Sequence, residues 1–277
     1  MSSPAAPRMA ATVIIAAPKG PQDFEVFMVK RAQKSGFMAG AHVFPGGVLD
    51  AADDVDSWQE LYGPRTLPGD FAFRLASIRE AFEESGVLLL EDSARSALLQ
   101  GDEKRIWRKR VHDDATQFKN LCAELESLPA VFSLKAWSHW VTPTAEPRRY
   151  DTRFYVAWTP ELPEAHHDEE ETVDSTWSSP RSSLESFEEG TMFLPPPTWY
   201  TLRELAAFTD WKGLDEAIRR ISPTQPFFSS AGGNLVLALP GDALHDTDPG
   251  ESEDHRNRIV ILPNKRYGFE YNLEGGS

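Results

Sequence analysis

Cysteine is almost missing: Cys122 is the one such residue among 277. That excludes a disulfide framework within the chain and any metal site built on several thiolates. Cys122 lies in NLCAELESL, which has helical periodicity, and a lone thiol there packs as a small apolar side chain. A reducing compartment follows, with the cytoplasm as the default. Basic charge is also scarce. Lys and Arg number 28 against 43 Asp and Glu, for a formal net charge of −15. Nucleic acids and anionic membranes are held mainly through Lys and Arg, so a nucleic-acid polymer or a membrane surface is a poor partner. An acidic protein that handles an anionic small molecule needs a cation between them, which is a first pointer to a divalent metal. No apolar run approaches the ~20 residues of a bilayer span. The opening residues, MSSPAAPRMAATVIIAAP, lack the charged-then-apolar order of a secretory signal, and the closing LEGGS is no peroxisomal address. No G-x-G-x-x-G, Walker A, H-E-x-x-H or G-x-S-x-G pattern occurs in a supporting context.

What is present can fold. Apolar residues make up 40% of the chain and aromatics 11%, enough for a sizeable core in one large domain or one domain with an extension. Residues 11–17 and 24–30 are apolar and β-branched, with a turn between them, and predict a hairpin or two neighbouring strands. HVFPGG follows as a short strand ending in a turn. Residues 50–70 are acidic and rich in Gly and Pro, and read as a surface insertion. Residues 71–85 predict one helix, with Phe71, Leu75, Ile78 and Phe82 as its buried stripe, Asp70 as N-cap and Gly86 just past its end. Residues 87–90 read as a short buried strand and 94–127 as two helices. LKAWSHWVTP and TRFYVAWTP predict two further strands. Two helices are expected within 198–220. From about 223 the chain reads as loop, with two short strand candidates, NLVLAL and RIVIL. The order suggests a mixed sheet covered by helices.

The chemistry concentrates in Arg79-Glu80-Ala81-Phe82-Glu83-Glu84-Ser85-Gly86-Val87. On a helix, Glu80, Glu83 and Glu84 are three and four residues apart and share a face. Like charges at that spacing repel, and they stand near a helix C-terminus, where negative charge is unfavourable. A solvated acidic face is the bland alternative. A bound divalent cation reverses the argument, because hard oxygen ligands on one rigid element suit Mg²⁺ or Mn²⁺.

From Gly47 to Val87 the chain resembles the Nudix box, G-x5-E-x7-R-E-U-x-E-E-x-G-U, where U is a bulky aliphatic residue. Gly47, Arg79, Glu80, Glu83, Glu84, Gly86 and Val87 match it. Ala81 stands where a larger aliphatic residue is usual, Asp53 replaces the first Glu, and the 50–70 insertion stretches the spacing. The resemblance implies an α/β fold, specifically a Nudix-type α/β/α sandwich with a mixed sheet, helical insertions and a C-terminal extension. The implied division is a Nudix domain over 1–190, with insertions at 50–70 and 94–130, and a helical and loop-rich extension over 191–277 packed on it. It further implies that Glu80, Glu83 and Glu84 bind Mg²⁺ or Mn²⁺, with a backbone carbonyl near Gly46 or Gly47, and that Arg79 orients a carboxylate. Nudix enzymes often recruit a late-loop carboxylate a few residues before a Trp. Here that is Glu171, with Glu170 second, ahead of Trp177, itself expected in the core. Glu83 or Glu171 would take the proton of the attacking water. His166 and His167 read as solvated loop residues.

The segment 29–47, which ends in FPGG, resembles that preceding the box in coenzyme A diphosphatases. The insertion within the box, WVTP, Arg148-Arg149-Tyr150-Asp151-Thr152-Arg153-Phe154 and Leu239-Pro240-Gly241-Asp242 resemble the branch known as Nudix motif 19. Lys30, Arg31, Lys34, Arg148 and Arg149 are the phosphate-contact candidates, since guanidinium forks match phosphate oxygens; ordinary surface charge is the alternative for each. The resemblance thus implies a hydrolase acting on a small nucleotide-like molecule, coenzyme A or an acyl-coenzyme A. The rival readings are a pyrophosphatase for ADP-ribose, NADH or another nucleoside diphosphate, and a non-catalytic binding module. A homodimer is the oligomeric state the resemblance leaves open.

Overall fold

The computed structural model describes residues 5–20, 23–32, 38–163, 172–217 and 221–272. Strands β1 (Arg8–Gly20) and β2 (Asp23–Arg31) form the expected antiparallel hairpin. Strands β3 (His42–Val43) and β4 (Gly46–Val48) follow. Residues 10–17 of β1 are buried but for Thr12, as a central strand covered on both faces requires.

The 50–70 segment lies mostly at the surface but carries more structure than a Gly- and Pro-rich stretch suggests: a 3₁₀ turn (Ala51–Asp53) leads into α1 (Val55–Tyr62), and Trp58 and Tyr62 are buried in the core. Trp58 Nε1 donates to the Ala52 carbonyl at 2.9 Å and ties helix to turn. Helix α2 (Phe71–Ser85) then runs as predicted, with Phe71, Leu75, Ile78 and Phe82 all buried. Asp70 is its N-cap in position only. Its carboxylate makes no cap bond and instead accepts from Arg74 at 2.7 Å and from the Tyr155 hydroxyl at 2.9 Å. Gly86 ends the helix at φ 71°, a left-handed conformation that glycine adopts without strain.

Residues 87–90 form no strand. They are buried without a neighbouring strand, and Leu90 makes a lone bridge to Pro129. Helices α3 (Ser93–Ser96), α4 (Gly101–Asp113) and α5 (Gln117–Glu124) replace the two expected over 94–127. Cys122 is in the core as expected, and burial pushes its thiol up to about 12, which leaves it unreactive. Strands β5 (Lys135–Val141) and β6 (Tyr150–Trp158) match the reading. Strand β7 (Thr172–Ser178) and helix α6 (Pro180–Glu189) were not foreseen. Helices α7 (Pro196–Leu205) and α8 (Trp211–Glu216) are the expected pair.

The tail departs from the loop-rich expectation. Strand β8 (Pro223–Thr224) pairs with β5 in the main sheet. Strands β9 (Phe227–Ala231), β10 (Asn234–Ala238), β11 (Asn257–Ile261) and β12 (Tyr267–Tyr271) form a second, four-stranded antiparallel sheet; only β10 and β11 were anticipated.

The main sheet is mixed, in the order β3-β2-β1-β6-β5-β8, with β1 parallel to β6 and antiparallel to β2, and with β7 beside β2. One edge of β1 changes partner along its length. Ala16–Gly20 pair with β2, while Ala10–Thr12 pair with β4, and Val13 N–H donates to the Pro45 carbonyl between them. Alternation sends Val13, Ile15, Phe27 and Val29 to the face covered by α1, α2, α4 and α5. Ile14, Ala16, Val26 and Met28 face α6, α7, α8 and the second sheet. The result is the expected α/β/α sandwich.

Candidate active site

Helix α2 and strand β4 meet at two glycines. A side chain on Gly47 would overlap the Glu80 carboxylate, and one on Gly46 would overlap the Ala11 carbonyl and Thr12. Gly46 N–H donates to Glu84 Oε2 at 2.9 Å. The Pro-Gly-Gly turn thus lays bare backbone against the acids of the helix, which only glycine permits.

Arg79 sits at the centre, its side chain 4% exposed. Its Nε and Nη2 grip Asp53 at 3.0 and 2.9 Å, Nη2 also donates to the Val48 carbonyl at 3.2 Å, and Nη1 donates to Glu80 at 2.9 Å and Glu83 at 2.6 Å. All five guanidinium N–H bonds therefore have protein acceptors. Burial works against the positive charge, but Asp53, Glu80 and Glu83 outweigh it and hold Arg79 above its usual range. Asp53 comes from the 3₁₀ turn, where Asp50 N–H donates to Asp53 Oδ2 at 2.8 Å and Asp50 caps Ala52.

The carboxylates carry more charge than Arg79 can answer. Burial pushes the Glu80 carboxyl up to about 7; Arg79 pulls the other way, and Glu83 and Asp53 add to the rise. Glu83 is raised too, first by burial, against Arg79 and His112. Helix α4 closes this side: Arg108 donates to the Glu83 carbonyl at 2.8 and 3.1 Å, which answers the negative end of α2. His112 Nδ1 stands 3.7 Å from Glu83 Oε2.

These residues form one wall of a cleft of about 990 Å³, lined by Gly46, Gly47, Arg79, Glu80, Glu83 and Glu84 and, from the sheet and α4, by Arg8, Arg31 and His112. Among the described residues, no three acidic, His or Cys side chains already enclose an ion. Arg79 Nη1 instead holds one oxygen each of Glu80 and Glu83. The donor set nonetheless suits a hard divalent cation. Four carboxylates, those of Asp53, Glu80, Glu83 and Glu84, converge on one guanidinium and one glycine turn. The upward shifts of Glu80 and Glu83 express the positive charge still wanted there.

The sequence-derived site residues therefore separate. Glu80, Glu83, Glu84, Arg79 and Gly47 come together, and Arg31 lines the cleft. Lys30 is half-buried on β2 opposite His42 and does not line it. Arg148 is exposed and Arg149 buried, and neither lines it. Arg149 spends its guanidinium on the Ala5 and Thr142 carbonyls, at 2.7 and 3.1 Å, tying the N-terminal segment to the β5–β6 turn. Lys34, Glu170, Glu171, His166 and His167 lie outside the described residues. Trp177 is partly buried against Phe27, with ring centroids 5.3 Å apart, in the core as expected. Sequence reasoning missed Asp53 as the partner of Arg79, as well as Arg8, Arg108 and His112. For Asp53 a signal was there: it fills the acidic position of the box, five residues after Gly47 is passed.

A family model described as the NUDT19 Nudix domain matches residues 7–66 and 63–205. The acyl-coenzyme A diphosphatase NUDT19 of Gallus gallus is 33% identical over 304 residues, covering 87% of this chain and 80% of that protein. The Homo sapiens protein of the same name is 33% identical over 303 residues, covering 87% and 81%. A crystal structure of a NUDIX hydrolase from Alicyclobacillus acidocaldarius superposes with a TM-score of 0.64 at 23% identity, over 77% of this chain and 97% of that one. At that identity the likeness concerns the fold.

Proposed function

The chain belongs to the NUDT19 Nudix domain family and is a Nudix hydrolase, and from that premise we propose that it hydrolyses the diphosphate of coenzyme A or an acyl-coenzyme A. Water adds to one phosphorus, the bridging P–O bond breaks, and the products are (acyl-)4′-phosphopantetheine and 3′,5′-ADP. The observation that carries this reading is the convergence of Glu80, Glu83 and Glu84 on Gly46 and Gly47, around an Arg79 fixed by Asp53. The relatives' printed names supply the substrate.

Glu80, Glu83 and Glu84, with the Gly47 carbonyl, would hold Mg²⁺ or Mn²⁺. Such ions lower the pKa of water and offset diphosphate charge. Arg79 keeps Glu80 and Glu83 in place through Nη1. Glu83 or Glu171 accepts the proton of the attacking water. Glu83 lines the cleft, and burial raises its pKa, which favours proton uptake. Arg31 and Arg8 stand where they can meet the substrate's phosphates, and Lys34 keeps that role as an expectation. Residues 1–190 are taken as the Nudix domain and 191–277 as its extension. The cytoplasm is proposed from the lone buried cysteine. Among the described residues no helix is long and apolar enough to cross a membrane. A homodimer rests on the resemblance alone.

The test is a panel of coenzyme A, acetyl-coenzyme A, NADH and ADP-ribose with Mg²⁺ or Mn²⁺, with products read by mass. Release of 4′-phosphopantetheine at the best kcat/KM is expected. Preference for ADP-ribose or NADH would discard the coenzyme A assignment and keep the hydrolase.

A further inference from the structure

The cleft lined by the carboxylates also has an apolar lining, its arm. Phe44, Trp140 and Phe154 come from the main-sheet side, and Pro226, Phe228 and Leu237 from the C-terminal segment and its sheet. Phe228 and Leu237 are direct partners across β9 and β10, so they stand side by side on one face of the small sheet. An aromatic relay ties the main-sheet side to the tail. Trp140 meets Tyr200 edge-on with centroids 5.4 Å apart, and Tyr200 meets Phe269 of β12 at 5.5 Å. The arm is thus built jointly by the main sheet and the tail.

One cleft lined both by carboxylates and by apolar side chains suits a ligand that carries a diphosphate and a hydrocarbon. ADP-ribose and NADH carry polar groups on both sides of their diphosphate. An acylated pantetheine carries a hydrocarbon on one side, and its burial is favourable in proportion to area. Resting on the coenzyme A reading above, we propose that this arm is the acyl subsite, and that Phe228 and Leu237 of the C-terminal sheet set the preference for acyl-coenzyme A over the free thiol. The extension is then a specificity element of the hydrolase. Neither residue touches the diphosphate. Each acts by enclosing the hydrocarbon tail.

The measurement is kcat/KM of the full chain with Mg²⁺ or Mn²⁺ for free coenzyme A and its acetyl, butyryl, hexanoyl and octanoyl thioesters. Efficiency is expected to rise with chain length, by roughly two- to fourfold for each methylene enclosed. Phe228→Ala should lower the octanoyl-to-free ratio about tenfold or more. Phe228→Leu, which keeps an apolar wall, should lower it less and guards against a folding defect in the first variant. An unchanged ratio, or a parallel loss on both substrates (as an adenine bound in this arm would give), overturns the subsite. So does an efficiency that is the same for free coenzyme A and all its thioesters, which leaves the coenzyme A reading standing. Hydrolysis of ADP-ribose with none of any coenzyme A species overturns that reading and the subsite with it.

Discussion

Asp53 and Glu80 hold opposite places around Arg79. Asp53 is 1% exposed and paired through two parallel bonds. Removing Asp53 leaves two buried N–H donors of Arg79 without their carboxylate acceptor, at a cost of about 1–3 kcal/mol, while Glu80 and Glu83 still answer the charge. Asp53→Ala should therefore lower the unfolding free energy from urea titration by that amount and also lower kcat, because Arg79 is released from its pose against Glu83. Retention of both stability and kcat would sink the pairing argument. Glu80 opposes the fold instead. Its carboxyl titrates near 7 when folded, against an ordinary 4.5, so the folded state favours its protonated form. Stability from that preference is complete below the ordinary value and is lost as pH rises through about 7. In EDTA, the protein should lose more melting temperature between pH 5 and pH 8 than Glu80→Gln does, and Mg²⁺ should reduce the difference by supplying positive charge. Parallel pH curves for the two proteins would count against it. The three glutamates and Arg79 were legible because helical spacing alone puts them on one patch. The link to Asp53 was signalled only by its place in the box; it stands twenty-six positions before Arg79, and the fold of the 3₁₀ turn brings the two together.

At the scale of elements, the junction of β4 with α2 decides the site. The Gly46–Gly47 backbone lies so close to the helix that a Cβ at 47 would overlap Glu80. Gly47→Ala should displace that carboxylate, and misplacement of about 1 Å in such a constellation costs about 10²-fold in rate. Steady-state kinetics beside a thermal melt checks this: kcat should fall by that order while the fold survives, and a variant with wild-type turnover would refute the close approach. Helix α2 was readable because its apolar stripe repeats at helical spacing. In residues 50–70 the acidic, Gly- and Pro-rich sequence marks the surface, where most of them lie, and hides α1, which only Trp58 and Tyr62 anchor in the core. Residues 87–90 misled: an apolar run predicts burial, but backbone pairing depends on a neighbour that periodicity does not reveal. Helix α6 did leave signals, with Ser179 capping Ser182 N–H, Pro180 at its first turn and Gly190 after its end at φ 82°.

For the whole molecule, the question is whether the tail is an appendage. The resemblance implies a boundary after residue 190, yet the cluster holding Ile14, Met28, Trp137 and Trp140 also holds Leu202, Leu205, Leu237, Leu239 and Ile259. Strand β8 adds to the main sheet beside β5, and Trp137 Nε1 donates to Glu204 at 3.2 Å. A core shared this way gives neither side an apolar face it can close alone. Urea unfolding should therefore be a single transition, with tryptophan fluorescence and far-UV circular dichroism reporting the same midpoint. Two separated transitions would mean that the second sheet folds by itself and only rests on the hydrolase. The same coupling bears on catalysis. The cleft that holds Glu83 is also lined by Phe228 and Leu237, so denaturant that loosened the tail first would lower the octanoyl-to-free coenzyme A ratio before it abolished turnover. With one shared core, both activities should instead fall together, along the same curve as the fluorescence.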